Sequence, residues 1–220
     1  MVVLDPGHNG GNATHPDVIN RPVPAGNGRT KACNTVGTQT AGGYPEHAFT
    51  LDVARRARAL LVRRGVTVLL TRPDDSGVGP CVNARAAVGN RHHAAAVVAI
   101  HADGAPPAGH GFHVIAAASA PVGPATAAAS HRLALSVRAH MLAESGLGYA
   151  TYLAGGTGLH GRSDIAGLNL STRPAILVEC GNMQNPGDAA RQSDPAGRQR
   201  IARALAEGIL AFLGLDGRHG

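Results

Sequence analysis

Aromatic residues are scarce in this sequence, and tryptophan is missing. Only 3% of the 220 residues are aromatic, so the core of a folded domain has to be aliphatic. Long apolar runs are missing as well. The longest, Ala94 to Ile100, falls far short of the roughly 18 residues that a membrane-spanning helix needs. We therefore expect a single domain with no membrane span, because a chain of this length can bury one sizeable core.

Cysteine is almost as scarce, and its spacing excludes two kinds of site. Cys33, Cys81 and Cys180 form no C-x-x-C pair, which argues against a zinc ribbon and a thioredoxin-type motif. Cys33 and Cys81 lie in stretches rich in Gly, Pro and Asn, whereas Cys180 ends an apolar run. Two interpretations stay open. One is a Cys33–Cys81 disulfide with Cys180 free, in an oxidising compartment, and the other is three free thiols in the cytosol.

Several catalytic signatures are also missing. The sequence has no H-E-x-x-H, no G-x-S-x-G and no phosphate-binding G-x-x-x-x-G-K-[ST]. Residues 156–161 match G-x-G-x-x-G, but they follow no clear strand and open no clear helix. We interpret them as a flexible loop and not as a dinucleotide site.

The charge balance is basic, but the basic residues form no nucleic-acid patch. The formal net charge of +6 favours anionic partners in general. The densest basic group lies on the polar side of one amphipathic helical pattern, and it consists of Arg55, Arg56, Arg58, Arg63 and Arg64. We therefore expect no nucleic-acid partner.

Apolar runs and helical patterns alternate along the chain. The predicted strands are residues 2–4, 66–70, 96–100, 111–116 and 175–178, and the predicted helices are 46–64, 83–91, 126–144 and 195–213. This β–α–β order with unbroken aliphatic strands predicts an α/β fold. We expect a largely parallel sheet with helices on both faces. Long loops are expected at 9–44, 73–82 and 149–173.

Three of these strands end at a residue type that binds metals or transfers protons. His8 follows the first strand, His101 follows residues 96–100, and Glu179 follows the last strand. Glu46 lies in the first turn of a predicted helix, where the helix dipole favours a carboxylate. Ligands of open α/β sheets bind beyond the carboxyl ends of the strands. Two histidines and a carboxylate can hold a catalytic zinc, but with 12 histidines in the chain the placement can also arise by chance.

Three polar residues near these positions have more than one interpretation. Asp5 either forms the Asp-Pro-Gly turn or orients a ligand histidine. Arg85 either binds a substrate carboxylate or forms a local salt bridge, and it can also be merely solvated. Asn9 is interpreted as a turn residue that can also line a substrate site.

Five separated blocks of the sequence resemble one family. They are "VVLDPGHNGG", "PEHAFTLDVARRARALLVRRGVTVLLTR", "NARAAVGN", "VVAIHAD" and "PAILVECGNMQN". In type and order they resemble the motifs of zinc-dependent N-acetylmuramoyl-L-alanine amidases, the peptidoglycan hydrolases of the amidase-3 family. The resemblance runs from Val2 to about Leu213. The alanine- and arginine-rich composition is most similar to that of secreted single-domain mycobacterial members.

The resemblance implies a site and a reaction. His8, Glu46 and His101 match the ligands of one Zn²⁺, and Glu179 matches the catalytic glutamate. The fold implied is a six-stranded sheet. The reaction implied is hydrolysis of the amide between N-acetylmuramic acid and L-alanine of the stem peptide.

It also implies an organisation and a location. Residues 1–220 are expected to form one catalytic domain with no separate wall-binding domain, monomeric and acting on peptidoglycan. We expect a secreted, periplasmic or wall-associated enzyme whose targeting segment is absent from this chain. Two alternatives remain, namely a catalytically silent peptidoglycan-binding regulator on the same fold, and a zinc amidase or carboxypeptidase that acts on another amide.

Overall fold

A computed structural model describes residues 1–119 and 121–217. The strands are β1 (Val2–Pro6), β2 (Pro22–Gly26), β3 (Arg29–Ala32), β4 (Val68–Leu70), β5 (Ala96–Asp103), β6 (His113–Ala117), β7 (Leu159–Arg162) and β8 (Ala175–Asn182). The helices are α1 (Pro16–Ile19), α2 (Glu46–Arg63), α3 (Val82–Arg91), α4 (Pro124–Glu144), α5 (Ala166–Asn169), α6 (Pro186–Ser193) and α7 (Pro195–Phe212). Short 3₁₀ helices span Gly10–Thr14 and Ala154–Gly156.

Six strands form one mixed sheet in the order β4-β1-β5-β8-β6-β7. Strands β4, β1, β5 and β8 run parallel, β6 pairs with β8 in the antiparallel sense, and β7 is parallel to β6. The predicted α/β class and the mostly parallel six-stranded sheet are therefore confirmed.

Alternate residues of the central strands supply two separate cores, because successive strand side chains point to opposite faces. Leu4, Val98 and Val178 belong to the larger core, where α2, α4 and α7 pack. Val3, Val97 and Leu177 belong to the smaller core beneath α3 and α5. Helices thus cover both faces, and the strands are buried on both sides, which accounts for their unbroken apolar runs.

Two of the segments expected to be loops contain regular structure. Residues 9–44 include α1 and an antiparallel hairpin of β2 and β3, and residues 149–173 include β7 and α5. The interpretation of residues 156–161 as a flexible loop is wrong, since β7 begins at Leu159 and pairs with β6. Short elements rich in Gly, Pro and polar residues lack the periodicity that identifies the longer ones.

Strands β5 and β8 continue past the ends predicted from their apolar runs. They stay paired from Val97↔Ala175 to Asp103↔Asn182, with a register irregularity after His101. His101 and Glu179 are direct register partners, so their side chains point to the same face. Both residues therefore lie within paired strands, near their carboxyl ends, and not in loops.

The β2–β3 hairpin is fastened to the body of the domain at both sides. Cys33, directly after β3, forms a disulfide with Cys81, the residue before α3. On the other side, the Asn169 side-chain amide donates to the Ala25 carbonyl at 3.0 Å. Cys180 is a buried free thiol. Of the two interpretations of the cysteines, the disulfide is the one the structure supports.

Among the described residues, no helix combines the length and the apolar character that crossing a membrane would require.

We expect removal of the disulfide to destabilise the domain. The bond closes a loop across 48 positions, and the typical contribution of a disulfide is about 2–4 kcal/mol. The double variant Cys33→Ser/Cys81→Ser should lose about that much free energy of unfolding in a urea titration followed by circular dichroism. Dithiothreitol should bring the wild type to the level of the variant and leave the variant unchanged. Equal stability of the wild type with and without reductant would contradict the prediction.

Candidate active site

Three side chains from distant parts of the chain converge beside the carboxyl end of β1. Nε2 of His8 and Nδ1 of His101 each lie 3.0 Å from Oε1 of Glu46. One ligand atom from each of the three residues lies within 4.8 Å of the others. The structure thus brings together the three residues that the sequence proposed as metal ligands.

The orientation of His8 is set by the loop that follows the hairpin. Its Nδ1 lies 3.0 Å from the carbonyl oxygen of Thr35, which can only accept a hydrogen bond. Nδ1 therefore carries a proton, and Nε2 is the ring nitrogen that faces Glu46. This arrangement is the usual way in which an outer hydrogen bond fixes the tautomer of a metal-binding histidine.

Two glycines leave room for the imidazole rings. A Cβ at Gly7 would lie 2.3 Å from the ring of His101. A Cβ at Gly37, whose φ is +87°, would lie 2.8 Å from both Glu46 and the His8 ring. The turn that carries His8 is itself in the left-handed region, with φ of 58° at His8. The "DPGH" stretch is therefore a constrained turn that aims one imidazole at its neighbour.

The Glu46 carboxylate is an anion held from several sides. It lies in the first turn of α2, as predicted, and it accepts the main-chain N–H of Thr38 at 3.0 Å and that of Ala102 at 3.1 Å. Burial alone would raise the pKa of Glu46, but hydrogen bonds from His101 and His8 hold it below its ordinary range. A buried carboxylate between two imidazoles is a strong attractor for a cation.

Glu179 reaches the same space from β8. Its Oε2 is buried and has no hydrogen-bond partner among the described residues. Burial raises the pKa of Glu179 well above its usual value, and the carboxylates of Glu46 and Asp103 raise it further. A buried carboxyl group with an unpaired oxygen and a raised pKa has the properties of a proton-transfer group.

Arg85 is a structural clamp for the turn that presents His8. All five of its N–H donors form hydrogen bonds within the protein. Four go to the carbonyls of Pro6, His8, Gly79 and Pro80 at 2.6–3.0 Å, and one goes to the Asp5 carboxylate at 2.7 Å. The side chain is 4% exposed. The substrate contact expected for Arg85 therefore has no free donor to supply it, and the local salt bridge is the interaction present.

Of the two sequence interpretations of Asp5, the orientation of a histidine is not seen in the structure. Its carboxylate contacts Arg85 and the Thr71 hydroxyl, not a ligand histidine. Burial would raise the pKa of Asp5, but the Arg85 guanidinium overcomes this and lowers it.

A second buried arginine, Arg72, binds the same turn of main chain from its other side. Arg72 donates to the carbonyls of Pro6, Gly7 and His47 at 2.6–3.1 Å. Burial lowers the pKa of Arg72 to about 10, so the side chain stays charged. Arg72 is 1% exposed and pairs with Asp75 at 2.8 Å. Nothing in its local pattern, a strand followed by "TRP", had indicated this role.

Asn9 is a turn residue in the structure. Its side-chain oxygen accepts the Gly10 N–H at 2.9 Å and caps the 3₁₀ helix, while its amide donates to the Gly79 carbonyl at 2.9 Å. At 4% exposure it has little surface to offer a ligand. The role of Asn9 in lining a substrate site stays a prediction.

Several residues beside the site carry no signal in the sequence. Thr35 contacts His8 and Thr38 contacts Glu46, and both lie in a loop whose sequence has no regular hydrophobic pattern. His113 is the register partner of Glu179 and is 1% exposed, and burial lowers its pKa to about 4, so it is neutral at ordinary pH. Tyr152 donates to Asp103 at 3.0 Å. Strand register, which sequence periodicity does not reveal, places His113 here.

Comparison with known proteins gives consistent matches over nearly the whole chain. The profile of a family described as N-acetylmuramoyl-L-alanine amidase matches residues 2–211. The N-acetylmuramoyl-L-alanine amidase Rv3717 of Mycobacterium tuberculosis is 46% identical over 218 residues, which are 99% of this chain and 88% of that protein.

Solved structures agree with these matches. The crystal structure of the N-acetylmuramyl-L-alanine amidase Ami1 from Mycobacterium smegmatis has a TM-score of 0.91 and 50% identity, and the match covers 97% of this chain and 96% of that one. The apo form of Ami1 from Mycobacterium abscessus has a TM-score of 0.90 and 48% identity, covering 96% and 97%.

We expect the Arg85→Met variant to lose about 3–5 kcal/mol of unfolding free energy, because it leaves the buried Asp5 carboxylate without its partner. The double variant Asp5→Asn/Arg85→Met should lose less than the sum of the two single losses. Urea unfolding of the wild type, of the single variants Asp5→Asn and Arg85→Met and of the double variant, all at neutral pH, measures this coupling.

The pH dependence has a definite sign. The pKa of Asp5 is lowered in the folded protein, so its stabilisation is present above the ordinary value of 3.8 and is lost as the pH falls through the lower folded pKa. The gap between wild type and Arg85→Met should therefore shrink in acid. Additive losses with no dependence on pH would rule out a coupled pair.

Proposed function

The chain belongs to the N-acetylmuramoyl-L-alanine amidase family and is an enzyme of that class, and from this premise we propose that it acts on peptidoglycan as a zinc-dependent hydrolase. The bond to be cut is the amide between the lactyl group of N-acetylmuramic acid and L-alanine of the stem peptide. The observation that carries the proposal is the convergence of His8, Glu46 and His101 next to the unpaired carboxyl oxygen of Glu179.

The donor set fits zinc. Two imidazoles and one carboxylate are a known protein ligand set for catalytic Zn²⁺, which keeps one further position open. Because Nδ1 of His8 donates to Thr35, Nε2 is the nitrogen left to bind a metal, and Glu46 is held as the anion that a metal ligand has to be. When bound, zinc lowers the pKa of its water toward about 7 and polarises the carbonyl of the amide.

Glu179 is the residue that moves the proton in this proposal. Its Oε2 accepts a proton from the attacking water as the new C–O bond forms. The same oxygen then gives the proton to the alanine nitrogen as the C–N bond breaks, so the peptide leaves as a neutral amine. The raised pKa of Glu179 supports both transfers, because a base must hold the proton long enough to return it.

We also propose that the enzyme works outside the cytoplasm, in the cell wall or a comparable secreted location. The Cys33–Cys81 disulfide supports this, since such bonds persist in oxidising compartments. The net charge of +6 is compatible with an anionic wall polymer. The stability predicted to depend on the disulfide would be lost in a reducing medium, and recovery of the native protein with both thiols free would contradict the proposal.

The reaction is tested by the mass of its products. Purified protein and muropeptides should yield a free lactyl-bearing glycan and a peptide that begins with L-alanine. A chelator should abolish the release, and added Zn²⁺ should restore it. A product cut at another amide would favour the alternative substrate class, and full turnover in the chelator would contradict zinc dependence.

Substitution of Glu179 and substitution of Glu46 should impair the enzyme in different ways. Glu179→Gln should keep the metal but lose roughly 10²–10⁴-fold in turnover, because only the proton transfer is removed. Glu46→Gln is expected to lose the metal itself, because it replaces an anionic ligand by a neutral amide. Elemental analysis beside the product assay separates the two. Near-normal turnover of Glu179→Gln, or full zinc occupancy in Glu46→Gln, would remove the corresponding role.

A further inference from the structure

A cavity of about 300 Å³ lies along the sheet face that carries the candidate site. His8, His101 and Glu179 line one end of it, and Ala175 lines the other. Ala175 and Glu179 are four residues apart on β8, so the cavity extends about 13 Å along the strand. This space is long enough for a short peptide.

The cavity has one cationic side chain that forms no salt bridge. Lys31, the only lysine in the sequence, lines the cavity from the β2–β3 hairpin. Its Nζ donates to the main-chain carbonyl of Asp164 at 3.3 Å. The Asp164 carboxylate instead accepts two hydrogen bonds from Arg162, at 2.9 and 2.6 Å. Within residues 1–119 and 121–217, no carboxylate lies within salt-bridge distance of Lys31.

The other charged side chains that line the cavity are not available to bind an anion. Arg85 is saturated and paired with Asp5, so this pair adds no net charge. Glu46, Asp103 and Glu179 line the catalytic end, which has no lysine or arginine with a free donor among the residues that line the cavity. Among the residues that line the cavity, Lys31 is therefore the side chain with a positive charge available to an anionic group.

The hairpin holds Lys31 at a fixed place on the cavity wall. Lys31 pairs with Val23 in the hairpin, and Cys33 two residues later is bonded to Cys81. The ammonium group has three donors and spends one of them on Asp164. Two donors remain for a ligand without dismantling any ion pair.

We propose that Lys31 binds a free carboxylate on the second residue of the stem peptide, and that it makes the enzyme prefer this carboxylate to a carboxamide. The inference rests on the proposed function for the identity of the substrate. The second residue is the first one beyond the L-alanine that is released, and it carries a carboxyl group that is either free or amidated. Lys31 is thus a specificity residue for the peptide side of the bond and takes no part in the proton transfer.

The test uses two muramyl tripeptides that differ only in a carboxylate or a carboxamide at the second residue. We expect the wild type to have a kcat/KM about tenfold or more higher for the carboxylate, because hydrogen bonds to charged groups contribute about 1.5–3 kcal/mol. In Lys31→Met this ratio should fall close to one, mainly through KM for the carboxylate substrate. Lys31→Arg should keep most of the preference.

Arg29→Met is the matched control. Arg29 lies on the same strand but is exposed and does not line the cavity, so the variant removes one positive charge without touching the site. Its ratio should equal that of the wild type. Thermal melts of all variants report whether each one is folded.

Three outcomes would overturn the proposal: a wild-type ratio near one, an equal loss on both substrates in Lys31→Met, and a loss of preference in Arg29→Met as large as in Lys31→Met. A calorimetric titration of both tripeptides into Glu179→Gln, with and without Lys31→Met, measures binding apart from turnover. If the wild type releases no alanine amino terminus from either substrate, the proposed function fails. The titration then still decides whether Lys31 selects the carboxylate.

Discussion

The candidate site depends on two buried arginines that hold one turn of main chain. Arg85 and Arg72 both bind the carbonyl of Pro6; Arg85 also binds that of His8, and Arg72 that of Gly7. A carbonyl at the end of a strand has no partner in the next ladder, and here guanidinium groups satisfy it. The cost of burying two cations is offset by Asp5 and Asp75, each bonded to one of them. The position of His8 therefore follows from electrostatics on the far side of the turn from Glu46 and His101.

The elements that the sequence predicts well are those with long, regular patterns. Helices α2 and α7 show the spacing of an amphipathic stripe, and β1, β5 and β8 are unbroken aliphatic runs. Strands β2, β3 and β7 are short and lack a regular apolar pattern. The β2–β3 hairpin contacts the 163–169 segment and β7 pairs with β6, and no local pattern in the sequence encodes these contacts.

The chemistry of the site divides in the same way. His8, His101 and Glu179 could be singled out because parallel strands align their carboxyl ends, and Glu46 because it lies in the first turn of a predicted helix. The saturation of Arg85 could not be foreseen, since it depends on Gly79 and Pro80 in a distant loop. Strand register likewise decides that His113 lies beside Glu179. Sequence thus indicates which groups do chemistry, and the fold alone shows which groups hold them and which face the substrate.

The absence of a side chain at Gly7 has a consequence for how such a site can change over time. A single added methyl group there would overlap the His101 ring, and one at Gly37 would overlap both His8 and Glu46. A larger side chain is therefore excluded at these two positions, because even a methyl group would overlap His8, Glu46 or His101. The β2–β3 hairpin and residues 163–169 border the cavity elsewhere, at Lys31, Ala32 and residues 165–168, so side chains there can vary without meeting His8, Glu46 or His101. The positions that exclude a side chain and the positions that can vary therefore lie in separate stretches of the chain.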